Sequence, residues 1–259
     1  MRRIERQKAV FYVSEALESY PNVVHAVTTR HGGVSLAPFN TMNLGNQVGD
    51  EPANVRENLE RMHTALGLDV CATVDASQAQ ADRVARVTDA DRGTRVKDVD
   101  GLITNEPGIP LMLRFADCVP VLLYDPAHRA IGIAHAGWRG TVGRVVTRTV
   151  QAMGEAFGTS PRDLIACICP SIGPCCYEIG PDVRDRVEQV FSTASQLLLR
   201  QNGSIHLDLW EANAHQLRTL GVEQIEVAGL CTSDRTDEWY SWRREKGETG
   251  RFAAIIALR

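Results

Sequence analysis

Residues 115–140 read FADCVPVLLYDPAHRAIGIAHAGWRG, and this stretch decides the fold because it holds two short apolar runs separated by a turn. The runs cover residues 119–124 and 130–134, and each is bounded by turn-forming residues, which is typical of β-strands. Pro126 and His128 lie in the connection between them. We predict two neighbouring strands that pair as an antiparallel hairpin.

Such a hairpin would bring a thiol and an imidazole together. Cys118 stands directly before the first run, and His135 stands directly after the second. Because the two strands run in opposite directions, these positions lie at the same end of the hairpin. Gly137 and Gly140 follow and allow the backbone to approach a ligand closely or to bend sharply. The sequence therefore predicts a functional site at this end.

The bulk composition is that of an ordinary globular protein. The chain has 259 residues, of which 44% are hydrophobic and 23% charged, and no stretch reads as a linker. We therefore expect one domain over residues 1–259, with residues 1–22 as an N-terminal extension. The net charge of -4 offers no basic surface for nucleic acid, so we expect no nucleic-acid partner.

Neither membrane insertion nor secretion is expected. The first residues, MRRIERQKAV, are charged, and no apolar run approaches the roughly 18 residues that span a bilayer. Seven cysteines are present, mostly inside apolar stretches, which favours reduced thiols and a cytoplasmic protein. We assign the adjacent Cys175 and Cys176 a structural role, because neighbouring cysteines cannot reproduce the geometry of a CxxC motif.

The remaining apolar patterns predict further strands and helices. Strands are predicted at 23–28, 83–87, 100–104, 111–114, 164–169, 225–231 and 252–258. Helices are predicted at 53–66, 181–191 and 209–220. The last strand is apolar on both faces, so we expect it to be central or covered.

Two features could bind an anion. From Val142 to Phe157 apolar residues recur every three or four positions, which predicts a helix that begins beside His135 and Arg139. The N–H groups and the dipole of that helix would favour a phosphate or a carboxylate. Arg30 precedes two glycines in a turn and could also face an anion.

A cysteine and a histidine in contact allow two kinds of chemistry. The histidine can activate the thiol as a nucleophile, as in a hydrolase or a transferase. Alternatively, the two side chains and a third donor can hold zinc with one position open for water or substrate. Spacing in the sequence does not decide between them.

Five motifs, in this order, resemble the laccase-domain family, whose members are known as multicopper polyphenol oxidases, purine nucleoside phosphorylases and peptidoglycan-editing factors. The motifs are RHGGVSLAPFNTMNLGNQVGD, ADCVPVLL, HAGWRGTV, PSIGPCCYEIG and WRREKGETGR, and the resemblance runs from about residue 24 to the C-terminus. It implies a single α/β (α+β) domain with mixed β-sheets and helix, sheet, sheet and helix layers. This fold is similar to that of a toxin hydrolase with a Cys–His pair.

The resemblance also implies an activity. It points to phosphorolysis of adenosine, inosine and methylthioadenosine, with adenosine deamination as a second activity. The expected partners are a small-molecule nucleoside and phosphate, bound by a monomer or homodimer without a nucleotide cofactor. Cys118, His135 and Gln80 are the predicted catalytic positions. The candidate substrate and phosphate ligands are Arg30, Asn43, Arg139 and Arg243.

Zinc is the cofactor that the resemblance implies, held by two histidines and a cysteine. Cys118 and His135 match two of these ligands, but Gln80 stands where the motif Gln-Val-His-Gly has its histidine. An amide is a poor zinc ligand, so we expect zinc binding to be weak or lost. Copper is not expected, because laccase chemistry would need roughly ten histidines and the chain has seven.

Three functional hypotheses follow. The first is a purine nucleoside phosphorylase-like enzyme with a weakened or absent zinc site. The second is a metal-free Cys–His hydrolase or peptidoglycan-precursor editing factor, suggested by the glutamine at position 80. The third is a small-molecule binding protein that has kept the pocket without catalysis.

Overall fold

Two mixed β-sheets stacked face to face form the centre of the computed structural model, which describes residues 1–259. The strands are β1 (Arg2–Arg6), β2 (Ala9–Val13), β3 (Val23–Thr28), β4 (Val74–Ser77), β5 (Val84–Arg86), β6 (Arg95–Lys97), β7 (Gly101–Thr104), β8 (Leu111–Phe115), β9 (Val119–Asp125), β10 (Ala130–Ala136), β11 (Ile165–Ile168), β12 (Leu198–Gln201), β13 (Ser204–Leu207), β14 (Gln224–Val227) and β15 (Phe252–Leu258). The helices are α1 (Glu15–Glu18), α2 (Pro52–Leu66), α3 (Trp138–Val142), α4 (Val145–Phe157), α5 (Pro181–Val190), α6 (Ala194–Leu197) and α7 (Leu209–Leu220).

The predicted hairpin is confirmed and lies in the middle of the second sheet. That sheet has the order β14-β11-β9-β10-β7-β5, and the first sheet has the order β1-β2-β3-β15-β8-β4-β6. β9 and β10 are antiparallel, with His135 opposite Pro120 and Ala136 opposite Val119. The last strand, β15, is buried along its whole length between β3 and β8, as its apolar sequence predicts.

Three apolar layers hold the sheets and helices together. Alternate side chains of β9 point to opposite faces, so Leu122 packs between the two sheets while Val121 and Leu123 pack in the core shared with α4 and α7. A third cluster joins α2 to the outer face of the first sheet, where Met62 packs near Ile255. These clusters produce the helix, sheet, sheet, helix order of layers.

The N-terminal residues are part of this architecture. Residues 1–22, which the sequence suggested as an extension, contain β1 and β2, and β2 pairs with β3 at the edge of the first sheet. Every residue of β2 is buried.

The helix predicted from Val142 begins three residues later than expected. The chain instead forms the short α3, reverses at Arg144, which has a φ of 65°, and then begins α4 at Val145. A left-handed residue cannot continue a helix, so α4 starts a turn later than predicted and away from His135. Only the five residues of α3 directly follow the β10 end. No helix in the structure combines the length and the apolar character needed to cross a bilayer.

Candidate functional site

The site is a cavity of about 550 Å³ at the end of the sheets where β4, β8 and β10 terminate and β9 begins. Five predicted residues line it together: Gln80, Cys118, His135, Arg139 and Arg243. The antiparallel register of β9 and β10 explains the meeting of Cys118 and His135, as the sequence indicated. The loop after β4 brings Gln80, because β4 runs parallel to β8 and ends at the same edge.

Asp100 is the residue that fixes this arrangement. Its carboxylate is completely buried and accepts a hydrogen bond from Nδ1 of His135 at 2.8 Å. The same carboxylate accepts the backbone N–H groups of Ala79, Gln80 and Ala81 at 3.0, 3.1 and 2.8 Å. One side chain therefore orients the imidazole and also holds the turn in which Gln80 adopts a φ of 55°. The sequence analysis missed Asp100, which has no motif of its own and lies 35 residues from its histidine.

The surroundings of His135 favour the positively charged form of its imidazole. Burial alone would lower the pKa of His135, but negative charge on Cys118 and the hydrogen bond to Asp100 outweigh it and raise that pKa to about 9. Burial alone would raise the pKa of Asp100, but the hydrogen bonds from His135 and Ala81 outweigh it, so the pKa of Asp100 lies below its ordinary value. The result is a buried ion pair whose cation lines the cavity.

Cys118 is held in place by a glycine and by a buried carboxyl group. A Cβ atom on Gly137 would lie only 2.8 Å from Sγ of Cys118, so only glycine leaves room for the thiol. The preceding residue, Asp117, has a φ of 86° and accepts hydrogen bonds from Thr232 Oγ1 at 2.8 Å and from the Arg243 backbone N–H at 2.7 Å. Burial raises the pKa of Asp117. These contacts fix the chain on either side of the bend that presents the thiol.

Three arginines bring positive charge into the cavity without a carboxylate partner. Arg139 donates to Oε1 of Gln80 at 3.1 Å, and Arg243 donates to the carbonyl oxygen of Glu178 at 2.8 Å. Arg251 donates to the carbonyl oxygens of Thr249 and Gly250. Their guanidinium groups also lie over aromatic rings, at 4.4, 5.0 and 5.3 Å from the ring centroids. Because none of them forms a salt bridge with a carboxylate, these groups can bind an anion.

Two other arginines in the lining share one carboxylate partner. Arg95 makes two hydrogen bonds of 2.7 Å to the carboxylate of Asp75, and Arg114 shares the same carboxylate. The arginines of the lining that have no salt bridge are therefore Arg139, Arg243 and Arg251. Arg251 was not among the residues that the sequence analysis selected, since its turn alone gave no sign that it faces the cavity.

The structure places Arg30 and Asn43 outside the lining. Arg30 is paired with Glu245 at 3.0 Å and lies over the ring of Tyr240. Asn43 is fully buried, and its Oδ1 accepts the backbone N–H groups of Gly45 at 2.9 Å and Arg251 at 2.8 Å. Asn43 therefore holds the backbone of two lining residues, Gly45 and Arg251, without facing the cavity itself.

The donor set does not fit the three-ligand zinc site that the resemblance implies. Cys118 and His135 offer a thiol and the Nε2 nitrogen, since Nδ1 is bonded to Asp100. The third group, Gln80, offers a neutral amide oxygen that accepts a hydrogen bond from Arg139. Zinc prefers thiolate, imidazole and carboxylate ligands, so only two of the three groups suit it.

The charged state of His135 predicts a pH-dependent stability. A histidine whose folded pKa of about 9 exceeds its ordinary 6.5 stabilises the fold fully below pH 6.5, and this contribution is lost as the pH rises through 9. We expect the wild-type protein to lose about 3 kcal/mol of unfolding free energy between these limits relative to His135→Gln. Urea denaturation at successive pH values measures the difference, and parallel profiles for the two proteins would contradict the assignment.

Comparison with known proteins agrees with this fold. The Bacillus subtilis protein named "Purine nucleoside phosphorylase YlmD" is 39% identical over 248 residues, which cover 92% of this chain and 89% of the relative. The Escherichia coli protein named "Purine nucleoside phosphorylase YfiH" is 34% identical, with coverage of 89% and 92%. The crystal structure of YlmD from Geobacillus stearothermophilus has a TM-score of 0.92 at 36% identity and covers 99% of this chain and 98% of that one.

A family description matches almost the whole sequence. Residues 24–259 match the family described as multi-copper polyphenol oxidoreductase laccase. The matched region includes every strand from β4 to β10 that builds the cavity, together with the arginines of its wall. By sequence match and by structure, the chain belongs to this laccase-domain family.

Proposed function

We propose that this chain is a purine nucleoside phosphorylase that cleaves adenosine, inosine and methylthioadenosine, with adenosine deamination as a second activity. The observation that carries the proposal is the cavity itself, where a charged histidine and three arginines without carboxylate partners face one space. The names of the relatives from Bacillus subtilis and Escherichia coli support it.

Phosphate would bind on the arginine side of the cavity. Arg139, Arg243 and Arg251 can together offset the two negative charges of the ion, and guanidinium groups match its oxygens in pairs. Their present partners are carbonyl or amide oxygens and ring faces, which leave other N–H groups free to donate. This binding holds the nucleophile at a fixed position and away from competing water.

The base would lie among the aromatic side chains. Trp138, Tyr177 and Trp242 all line the cavity, and Trp242 is 54% exposed. An exposed indole face beside an arginine provides a stacking surface for a purine. The size of about 550 Å³ lies within the roughly 300–1,000 Å³ that small-molecule sites occupy.

The reaction moves one proton from phosphate to the leaving base by way of His135. A phosphate oxygen attacks C1′ of the ribose, the bond between C1′ and the base nitrogen breaks, and its electron pair goes to the base. The imidazolium of His135 donates a proton to the leaving base, and the proton that the phosphate loses restores it. The products are ribose 1-phosphate and the free purine.

Cys118 and Asp100 act on this proton donor. The negative charges of both groups raise the pKa of His135, so the ring is protonated when the substrate binds. No step of this reaction passes through a metal ion. We propose that the zinc of the family is bound weakly here, because Gln80 replaces an imidazole with an amide.

A second function is favoured by the same contacts. Cys118, His135 and Asp100 could act as nucleophile, base and orienting carboxylate respectively, as in cysteine hydrolases. In that case Cys118 would attack an amide carbonyl carbon of a peptidoglycan precursor, the C–N bond would break with a proton passing from His135 to the leaving amine, and water would then hydrolyse the thioester. The two functions differ in their need for phosphate.

The phosphorolysis proposal is tested by incubating pure protein with adenosine and phosphate and separating adenine, inosine and ribose 1-phosphate. We expect phosphate-dependent adenine release, and Arg139→Ala should raise KM for phosphate by about 10–100-fold because a charged hydrogen bond is lost. Arg148→Ala is the matched control, since Arg148 is exposed and lies outside the cavity. The absence of adenine and ribose 1-phosphate with or without added zinc would overturn the proposal, and so would adenine release that does not depend on phosphate.

The role of position 80 is tested by Gln80→His. This change would complete the set of two histidines and one cysteine, so we expect the variant to bind one equivalent of zinc more than the wild-type protein. Elemental analysis of proteins purified without chelator or histidine tag measures the difference. Gln47→His is the control, because it adds an imidazole to the same cavity lining at an exposed position. An equal zinc content in the wild-type and Gln80→His proteins would contradict this account.

A further inference from the structure

Three thiols and a carboxylate meet on the far side of the wall that carries Tyr177. The Sγ atoms of Cys175 and Cys176 each lie 3.0 Å from a different oxygen of Asp234. With Cys231 included, the four donor atoms all lie within 4.8 Å of one another. The sequence analysis gave the two adjacent cysteines a structural role and did not connect them to residues more than 50 positions away.

The backbone holds these donors in place before any ligand binds. The residues from Gly173 to Tyr177 form a tight turn, in which the N–H groups of Cys176 and Tyr177 both donate to the Gly173 carbonyl oxygen at 3.0 Å. Successive side chains of such a turn can therefore reach the same point. The Gly173 N–H also donates to Sγ of Cys231 at 3.2 Å.

The second segment is fixed to the first by backbone pairing. Ser171 and Cys231 form a parallel bridge, and the Thr232 N–H donates to the Ser171 carbonyl oxygen at 3.0 Å. Cys231 is buried, whereas Cys175 and Asp234 are exposed. The cluster thus has a rigid inner donor and an open side through which an ion can enter from solvent.

We propose that Cys175, Cys176, Cys231 and Asp234 form a binding site for a zinc ion, separate from the Cys118–His135 pair. Three sulfurs and one carboxylate oxygen are four ligands of the types that zinc prefers. In a tetrahedral zinc site with bonds of about 2.3 Å the sulfur atoms are about 3.8 Å apart. The donors therefore need to move inward only slightly.

Zinc at this site would stabilise the wall of the cavity. It would join the turn that carries Tyr177 to the segment that carries Thr232, whose hydroxyl group bonds to Asp117 beside the reactive thiol. The guanidinium of Arg243 reaches the same turn, where it contacts the Cys176 carbonyl oxygen at 3.4 Å. The role of this ion is structural, because all four of its coordination positions come from the protein.

Cobalt(II) provides the test, because thiolate ligands give it intense charge-transfer absorption. Reduced protein is freed of metal with a chelator and titrated with Co²⁺ alone, and then with Zn²⁺ as a competitor. We expect the wild-type protein, Cys118→Ala and Cys71→Ser to bind one cobalt ion with thiolate absorption. Cys175→Ser and Asp234→Asn should weaken this binding at least about tenfold. Both changed residues are exposed, so these variants should still fold.

Two results would overturn the proposal. One is thiolate absorption that survives in Cys175→Ser and disappears in Cys118→Ala, which would place the metal at the cavity pair. The other is a fully reduced wild-type protein, confirmed by the mass expected for seven free thiols, that gives no thiolate absorption with Co²⁺. The proposed phosphorolysis depends on other residues, so neither of these results would decide whether the protein catalyses that reaction.

Discussion

The buried carboxylate of Asp100 is the constraint on which the site depends. It receives the imidazole of His135 and three consecutive backbone N–H groups of the turn after β4. Those groups belong to different sheets, since β4 lies in the first sheet and β10 in the second. A single carboxylate therefore connects the two sheets at the cavity and sets the charge of its histidine.

This connection gives the cavity two kinds of positive charge. One is the imidazolium of His135, which is held in a fixed direction and can release a proton. The other comes from guanidinium groups whose contacts are carbonyl or amide oxygens and aromatic rings. Phosphorolysis uses both, because it needs an anion held near the sugar and a proton for the leaving base. The proposed structural zinc site adjoins Tyr177 of the cavity wall and would stabilise these positions without taking part in the reaction.

Much of the fold could be predicted from the sequence, because short apolar runs between turn residues reveal strands. The hairpin of β9 and β10 and the pairing of Cys118 with His135 were predicted from local sequence alone. The break at Arg144 was not, because the apolar repeat continues across a residue whose backbone is left-handed.

The site was predictable only in part, for a physical reason. Asp100, Arg251 and the Cys175 cluster act through contacts between residues far apart in the chain, and no spacing rule encodes such contacts. Conversely, Arg30 and Asn43 stand in a glycine-rich stretch that resembles a binding loop, yet their side chains hold that loop to the body of the protein. A turn can carry a functional side chain or use it internally, and only the packing distinguishes the two cases.

The protonation state of His135 tests the central claim most directly. Nitrogen-15 NMR of the histidine rings distinguishes an imidazolium from either neutral tautomer, and comparison with His135→Gln assigns the signal. The account predicts that both ring nitrogens of His135 carry a proton at pH 7.5, since its pKa is raised to about 9. A neutral ring at that pH would contradict the ion pair with Asp100 and the proton donor that the proposed reaction requires.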